Sequence, residues 1–361
     1  FTENVGKNLG GGLEKVTDRS AVRVPPYYPD TPLVREYIAR QYDNIAVADA
    51  FVGRILEQLD SDGLADSTIV IWTTDHGDGL PRAKREIYDS GIRVPMIIHW
   101  PERFRPDWAT AGTVDQRLVS FVDFAPSILQ LAGVETPAWM QGKPVLFAAG
   151  KTRDYVYAAK DRLDEFEFRE RAVRDQRFKH IRNYLPDRPG ATHLAYRDRL
   201  GIMRELWLYL EEGLLTPAQR QWFEDRPAEE LYDTWQDPHE LTNLAGEPDY
   251  AGTLSRLRGA LDEWLARTGD RAEQAEADMA RIFWPGGEQP VTPPPVMSER
   301  GQGIVTIEPA IAGASIGYRV DRGPWLAYAP GMYLEIPAGA TLSVKSVRYG
   351  WAESPEISQE F

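Results

Sequence analysis

The chain has 361 residues, contains no cysteine and carries a formal net charge of −14 at pH 7. The negative charge argues against a nucleic acid as a partner, because nucleic-acid phosphates select basic surfaces. The lack of cysteine excludes disulfides and thiolate chemistry, and no apolar run approaches the ~18 residues that a membrane span requires. We therefore predict no membrane span, whereas a local cluster of Lys and Arg could still bind an anionic substrate.

A long helix is the first element that the sequence predicts. Thr31 is a favourable N-cap, Pro32 fits the first helical position, and apolar residues keep helical spacing over residues 34–59. Gly63 can end this helix. The preceding residues 1–30 are rich in glycine and proline, which predicts a loop.

Two apolar stretches after this helix predict strands. Residues 68–74 (Thr-Ile-Val-Ile-Trp-Thr-Thr) are rich in branched and aromatic side chains, which pack well on a pleated sheet. Residues 94–100 (Val-Pro-Met-Ile-Ile-His-Trp) have the same character. A helix followed by two such strands suggests half of a parallel α/β sheet.

The rest of the chain predicts a second set of elements and a separate module. Residues 154–160 and 171–184 have the pattern of strands, and apolar residues form one face of a helix over about 249–267. The stretch 285–295 is dominated by proline and glycine and predicts a linker. Residues 303–361 alternate apolar and polar side chains between turns, which predicts a small antiparallel β module.

The most informative residues for function follow the strand predicted at 68–74. Asp75 and His76 stand at its carboxyl end, where open α/β sheets place their ligands. Lys84 follows on the same loop, and its flexible side chain can reach back towards an anion held there. A carboxylate and an imidazole that can bind a metal, followed by a lysine, suit a hydrolase that acts on a charged ester.

Four segments between about residues 25 and 270 resemble the sulfatases of the alkaline phosphatase superfamily. The first is Thr74-Asp-His-Gly77, followed by Lys84 and by Tyr88-Asp-Ser-Gly-Ile-Arg-Val-Pro95. The other three follow in the family's order: Val119-Ser-Phe-Val-Asp-Phe-Ala-Pro-Ser-Ile-Leu129 with Gln141-Gly-Lys-Pro144, Arg171-Ala-Val-Arg-Asp-Gln-Arg-Phe-Lys-His-Ile-Arg-Asn183, and Glu230-Leu-Tyr-Asp233 with Asp237-Pro-His-Glu-Leu-Thr-Asn-Leu244. The chain therefore resembles the carboxyl-terminal part of a type I, formylglycine-dependent sulfatase.

The resemblance extends to one branch of these enzymes. The helix start at Pro29-Asp-Thr-Pro-Leu-Val-Arg35 and an insertion over residues 185–230 are similar to the heparan N-sulfatase-like branch. Lys84 departs from that branch, in which an arginine often takes its place, and follows the general sulfatase pattern instead.

The resemblance implies an α/β fold in which an alkaline-phosphatase-like sheet, only partly contained in this chain, lies between helices. A smaller α+β carboxyl-terminal subdomain and a terminal small antiparallel β module follow. The corresponding domain boundaries are 1–150 for the carboxyl-terminal portion of the catalytic domain, 151–284 for the subdomain, 285–302 for the linker and 303–361 for a β-sandwich-like module.

The resemblance also implies one Ca²⁺ ion and a formylglycine nucleophile made from Cys or Ser in a Cys/Ser-x-Pro-x-Arg motif. That motif does not occur in this sequence. We therefore expect the nucleophile and the remaining metal ligands on an amino-terminal segment absent from this chain, either in the same protein or as a separate chain. The family resemblance further implies a periplasmic or secreted protein.

Residue by residue, the resemblance assigns Asp75 and His76 as metal ligands. Lys84 and His76 are the expected catalytic residues, with Lys84 also holding the sulfate. Arg162, Asp164 and His180 are expected substrate contacts, because related enzymes approach the sugar in these regions. The alternatives are a solvated loop for Arg162 and Asp164, and a satisfied buried histidine for His180.

The predicted function is hydrolysis of the sulfate ester, or N-sulfate, of a sulfated carbohydrate. One alternative is a phosphonate monoester or phosphodiester hydrolase of the same superfamily, which shares the metal-binding position of Asp75 and His76. Another is a non-catalytic remnant that binds sulfated glycans. The sequence does not identify the sugar, the sulfate position or the oligomeric state.

Overall fold

A computed structural model describes residues 16–150, 152–163 and 166–361, which fall into two compact units, Phe1–Ala272 and Glu273–Phe361. Of the loop predicted for residues 1–30, the first fifteen residues lie outside the described range. The first unit is a mixed α/β structure, as predicted. Among the described residues, no helix has the length and apolar character needed to cross a bilayer.

The first helix, α1, covers Pro32–Ser61 and confirms the element predicted from its caps. Thr31 Oγ1 accepts a hydrogen bond of 3.1 Å from Val34 N, which satisfies one of the backbone donors left free at a helix start. At the other end, Gly63 adopts φ +68°, a left-handed conformation that glycine enters without strain.

Strands β1 (Val70–Thr73) and β2 (Met96–His99) form a two-stranded antiparallel sheet. The parallel arrangement expected from the sequence is therefore wrong. The reason is that the connection, which contains the short helix α2 (Asp89–Ile92), doubles back on itself beyond the strand ends. Gly77 N donates to Gly91 O at 2.8 Å, so the outgoing and returning segments stay paired and the chain re-enters the sheet in the opposite direction.

Helix α1 and this sheet enclose an apolar groove with a volume of about 520 Å³. Aliphatic and aromatic side chains from both elements line it, among them Val52, Leu56, Val70, Trp72 and Ile97. Ile97 is 62% exposed, so part of the groove wall faces solvent in the described part of the chain.

A second, four-stranded antiparallel sheet has the order β3-β4-β5-β6. Its strands are β3 (Val156–Leu163), β4 (Phe166–Arg174), β5 (Phe178–Asn183) and β6 (Glu229–Asp233). The single strand predicted over 171–184 is in fact the end of β4 and all of β5. Asp175 makes the turn between them, since its Oδ1 accepts hydrogen bonds from the backbone N–H groups of Arg177 and Phe178.

The remaining helices of the first unit are α3 (Phe124–Leu131), α4 (Ala195–Asp198), α5 (Gly201–Glu211), α6 (Pro217–Arg220) and α7 (Ala251–Thr268). Helix α7 corresponds to the helix predicted at about 249–267. It covers one face of the four-stranded sheet, where Leu257 and Leu261 pack with Val173 and Leu231. The alternate residues of the same strands, including Ile181, face a second core that contains side chains of α1 and α5.

Buried ion pairs fasten the segment 82–92 to the second face of this sheet. Lys160 Nζ lies 2.7 Å from Glu86 Oε2 and 3.4 Å from Glu170 Oε1. Lys179 Nζ lies 3.0 Å from Asp89 Oδ1 and 2.8 Å from Glu240 Oε1, and its side chain is fully buried. Strands β3 and β5 thus supply a cation each to the loop that follows β1. We call these six carboxylates and lysines, together with Arg197 and Arg226, which pair with Glu86 and Glu170, the buried ion cluster.

The second unit contains helix α8 (Glu276–Phe283) and two antiparallel sheets, which confirms the predicted β module. Val305, Leu342 and Val344 form the centre of its core. One sheet has the order β10-β9-β12-β13 and the other β11-β8-β7, with strands β7 (Val296–Glu299), β8 (Ile304–Glu308), β9 (Ala314–Val320), β10 (Leu326–Tyr328), β11 (Leu334–Glu335), β12 (Thr341–Arg348) and β13 (Ile357–Glu360). Strand β7 lies within the stretch 285–302 that we predicted to be a linker; the domain boundaries themselves stay predictions.

The buried ion cluster makes a prediction for stability. Lys179→Met should lower the free energy of unfolding by about 3–5 kcal/mol, because it leaves Asp89 and Glu240 buried without their cation. Urea unfolding of the full chain measures this. Arg220→Gln, which breaks an ion pair with Glu224 whose side chains are each 50% exposed, should cost less than about 1 kcal/mol. Equal small effects from the two variants would contradict the assigned role of Lys179.

Candidate active site

The Asp75-His76 turn begins directly after β1. Thr74 Oγ1 donates to the carbonyl oxygen of His76 at 2.9 Å, which fixes the turn. His76 Nδ1 lies 2.8 Å from the carbonyl oxygen of Gly77. Because a carbonyl oxygen can only accept, Nδ1 carries the hydrogen and the neutral ring keeps the lone pair on Nε2.

Two glycines hold this turn against the motif that follows it. A Cβ on Gly77 would overlap the carbonyl oxygen of Ser90, and a Cβ on Gly91 would overlap those of Ala83 and Glu86. Asp78 N also donates to Ser90 O at 3.1 Å. The Asp-His-Gly and Tyr-Asp-Ser-Gly segments therefore meet backbone to backbone, and glycine is needed at both contacts.

Lys84 is carried back towards the turn by the loop itself. Lys84 N donates to Asp78 O at 2.9 Å, and its Nζ lies 3.4 Å from Tyr196 Oη. On either side of Lys84, Arg82 and Arg85 adopt φ values of 59° and 81°. Such conformations are unfavourable for non-glycine residues and persist where the surrounding structure imposes them, which is common around functional loops.

The buried ion cluster supplies that constraint. Burial opposes ionisation of Glu86, but Lys160 and Arg197 outweigh it and hold the pKa of Glu86 below its usual value. The same balance, with Lys179 and Arg174 as the cations, holds the pKa of Asp89 low. Both carboxylates are therefore ionised at neutral pH, and the loop that bears Lys84 is tied to the sheet by charge on both sides.

Asp75 and His76 are placed so that they could supply two ligands of a metal site. His76 Nε2 and Asp75 Oδ1 lie 3.8 Å apart, close enough for one cation to contact both at ordinary ligand distances. The Asp75 side chain is 83% exposed, and a histidine whose Nδ1 donates to a carbonyl is the usual arrangement for metal binding through Nε2. The carboxylate suits Ca²⁺, whereas imidazole suits softer metals. The described residues contain no group of three or more His, Asp or Glu that could hold a metal ion.

The predicted substrate contacts lie in different surroundings. Arg162 is at the end of β3, 3.6 Å from Glu167 Oε1, with 20% of its side chain exposed. Asp164 lies outside the described residues. His180 is fully buried on the sheet face that α7 covers, and its Nε2 lies 3.1 Å from Glu229 Oε1. The buried Nδ1 of His180 has no hydrogen-bond partner among the described residues, so the histidine is buried but only half satisfied. Its full burial agrees with the alternative of a core histidine and does not favour contact between His180 and a substrate.

Sequence reasoning missed the residues that support Lys84. Glu86 and Asp89 lie within the first motif, but a charged residue in a loop is ordinarily solvated, and no local signal indicates burial. Tyr196 was also missed, because its contact with Lys84 joins residues far apart in sequence. The only signal available for Tyr196 was its position in the unusual insertion over residues 185–230.

Comparison with known families gives this site a context. Residues 12–134 match the profile of the family described as Sulfatase, and residues 82–189 match that described as N-sulphoglucosamine sulphohydrolase, C-terminal. Residues 12–189 are therefore sulfatase-like. Asp75, His76 and Lys84 all lie within the first match, and the two matches overlap on the loop that carries Lys84.

Two curated sulfatases and one solved structure illustrate the relationship. The chain is 42% identical over 344 residues to an ulvan-active sulfatase of Formosa agariphila, covering 92% of this chain and 56% of that protein. It is 27% identical to the human N-sulphoglucosamine sulphohydrolase, covering 75% of this chain and 57% of that enzyme. A putative sulfatase structure from Bacteroides thetaiotaomicron matches with a TM-score of 0.49 and 24% identity, covering 74% and 55% of the two chains. The chain thus spans about half the length of the curated relatives it matches.

The backbone contact of the sulfatase motif can be tested by substitution. Gly77→Ala should lower the free energy of unfolding by at least about 3 kcal/mol, because the new methyl group overlaps a backbone oxygen. Gly53→Ala, in the interior of α1 with open space around the added Cβ, should instead gain up to about 1 kcal/mol. Thermal and urea unfolding of both variants measure the difference, and a tolerant Gly77 would refute the required close approach.

His180 should make stability depend on pH. Burial lowers the pKa of His180 to about 4, although Glu229 acts in the opposite direction. The unfolded chain binds this proton near pH 6.5 and the folded chain only near pH 4, so the stabilisation is complete above pH 6.5 and is lost as the pH falls towards 4. The loss amounts to about 3 kcal/mol. Urea unfolding from pH 7 to 4.5 should show this slope, and His180→Gln should remove it; an unchanged slope would contradict the assignment.

Proposed function

We propose that this chain is the carboxyl-terminal part of the catalytic region of a sulfatase, which hydrolyses the sulfate ester or N-sulfate of a sulfated carbohydrate. The observation that carries the proposal is the loop from Asp75 to Gly91. It joins a carboxylate, an imidazole with an outward lone pair and a lysine through backbone contacts that only glycine permits. The names of two relatives, one an ulvan-active sulfatase and one an N-sulphoglucosamine sulphohydrolase, support a carbohydrate substrate.

Lys84 holds the sulfate group in this proposal. A sulfate ester carries its negative charge on nonbridging oxygens, and an ammonium group fixed beside them offsets charge in the ground state and in the transition state. The paired backbone and the buried ion cluster hold the loop of Lys84 before substrate arrives. Little reorganisation is then needed when the sulfate binds.

Asp75 and His76 would hold one Ca²⁺ ion through Oδ1 and Nε2, together with ligands that this chain does not supply. A bound divalent cation polarises the sulfate oxygens and orients the group. His76 can alternatively donate a hydrogen bond to the sulfate when its ring is protonated, which is why we assign it a catalytic role as well as a metal-binding role.

The nucleophile in the proposal is a formylglycine on a segment that is not part of this sequence, and the protein is periplasmic or secreted. Both statements rest on similarity to the sulfatase family. Peptide mapping of the natively expressed protein tests the first statement directly. A formylglycine-bearing peptide linked to this chain would support it, and a native protein without one would favour a glycan-binding remnant.

Substrate assays distinguish the reaction types. The native protein, supplied with Ca²⁺, should release sulfate from sulfated sugars faster than phosphonate from a phosphonate monoester. A preference for the phosphonate monoester would move the assignment to the other hydrolases of the superfamily. Binding of sulfated sugars without any release of sulfate would support the remnant.

Lys84→Met should reduce kcat/KM for a sulfate ester by about 10²–10³-fold, because a preorganised charge beside the sulfate oxygens is lost. Lys143→Met serves as the matched control, since Lys143 is exposed and lies outside the Asp75–Gly91 loop. It should leave the rate within about twofold. Similar rates for Lys84→Met and the unsubstituted protein would exclude Lys84 from the sulfate site.

A further inference from the structure

We propose that the turn around helix α4 forms a sugar subsite next to Lys84, and that this subsite selects a sugar with a second anionic group, either a carboxylate or another sulfate. The inference rests on the proposed function of Lys84. The subsite consists of Lys84, His193, Tyr196 and Arg199, and the last three lie in the insertion over residues 185–230, outside the four segments that carry the sulfatase resemblance.

Helix α4 is anchored to the loop of Lys84 by the buried ion cluster. Arg197 Nη1 lies 3.2 Å from Glu86 Oε1, with both side chains almost fully buried, and the Arg197 guanidinium also packs over the ring of Trp222. Leu194 is fully buried as well. Because Arg197 follows Tyr196 directly and Glu86 lies two residues after Lys84, one buried ion pair fixes both partners of the surface contact.

Tyr196 presents an aromatic face to solvent beside the sulfate-binding lysine. Its side chain is 40% exposed, and the Lys84 ammonium lies 5.5 Å from the ring centroid. The apolar face of a sugar packs well on a rigid aromatic ring, and a tyrosine adds a polar edge at little conformational cost. A sulfated sugar held by Lys84 would therefore meet the ring of Tyr196 first.

Arg199 lies on the same ring, with its guanidinium carbon 5.8 Å from the Tyr196 centroid. It is exposed and forms no ion pair within the described part of the chain. Two cationic side chains thus lie within 6 Å of one aromatic ring, and each can attract an anionic group of a bound sugar. In a chain with a net charge of −14, a local pair of cations is a specific attraction for such a ligand.

His193, three residues before Tyr196, adds a third polar group on the same turn. The His193 imidazole stacks on the Trp207 ring at a centroid distance of 4.0 Å. Asp198 holds both rings, since its carboxylate accepts from Trp207 Nε1 at 3.0 Å and lies 2.9 Å from His193 Nδ1. The His193 side chain is 71% exposed, so its other nitrogen is available to a ligand hydroxyl or anion.

The family model that covers the loop of Lys84 ends at residue 189 and does not include the subsite, although similarity to the ulvan-active sulfatase covers 92% of the chain. In this inference Lys84 holds the sulfate, and the turn around α4 contacts the sugar.

Calorimetric titration of the natively expressed protein in Ca²⁺ tests the inference with four ligands: inorganic sulfate, N-acetylglucosamine 6-sulfate, D-glucosamine-2-N,6-O-disulfate, and a disaccharide of glucuronic acid and N-acetylglucosamine 6-sulfate. Arg199→Gln should raise the Kd of the disulfate and of the disaccharide by about 10-fold. It should leave the Kd of inorganic sulfate and of N-acetylglucosamine 6-sulfate within twofold. Tyr196→Ala should weaken all three sugars by about 5–10-fold relative to inorganic sulfate, whereas Tyr196→Phe should retain most of the affinity.

Arg322→Gln and Tyr349→Ala, at exposed positions of the second unit, are the matched controls. They should leave the affinity for all four ligands unchanged. A loss confined to the disulfate or to the uronate ligand would identify the second anion. If the sugars bind but Arg199→Gln and Tyr196→Ala leave their affinities unchanged, the subsite is wrong while the proposed function stands. Equal weakening of every ligand, including inorganic sulfate, would mean a structural role and overturn the subsite. If the unsubstituted native protein binds none of the four, both proposals fail.

Discussion

The buried ion cluster that joins the loop after β1 to the four-stranded sheet is the constraint on which the rest of the first unit depends. Lys160 and Lys179 come from β3 and β5, and they meet Glu86 and Asp89 on a loop that is otherwise irregular. No strand ladder joins that loop to the four-stranded sheet among the described residues, so these ion pairs set its position. The charged side chains therefore fix the position of the loop, as strand pairing fixes the position of a strand in a sheet.

This choice of interaction has a physical cost, since charges lose hydration when they are buried. A well-packed apolar interface could supply as much stability, so the benefit must lie in specificity of position. A charged group has few acceptable partners in a core, and a shifted register would leave several carboxylates unpaired. The positive φ angles of Arg82 and Arg85 agree with a loop whose geometry is imposed by its surroundings.

The sequence predicted those features of the fold that residues close together in the chain determine. The Thr31 cap, the apolar face of α7 and the Asp-His-Gly turn are all set by neighbours within a few residues, and each was predictable. The antiparallel pairing of β1 with β2 was not, because two glycine contacts between distant segments determine it. The buried ion cluster and Tyr196 were unpredictable for the same reason. For His180 the sequence left two alternatives, a substrate contact and a buried histidine, and only the packing of α7 on the sheet decides for burial.

The two-stranded β1–β2 sheet has a consequence for work with the chain in solution. In the described residues each of its strands pairs with one neighbour only, so each keeps an edge of backbone donors and acceptors without a ladder partner. An apolar groove with the exposed Ile97 adjoins these edges. Open edges next to apolar surface act as templates for intermolecular β pairing. Concentrated samples of this chain should accordingly form oligomers or aggregates that grow with protein concentration, and dilution or a charged side chain at Ile97 should suppress them.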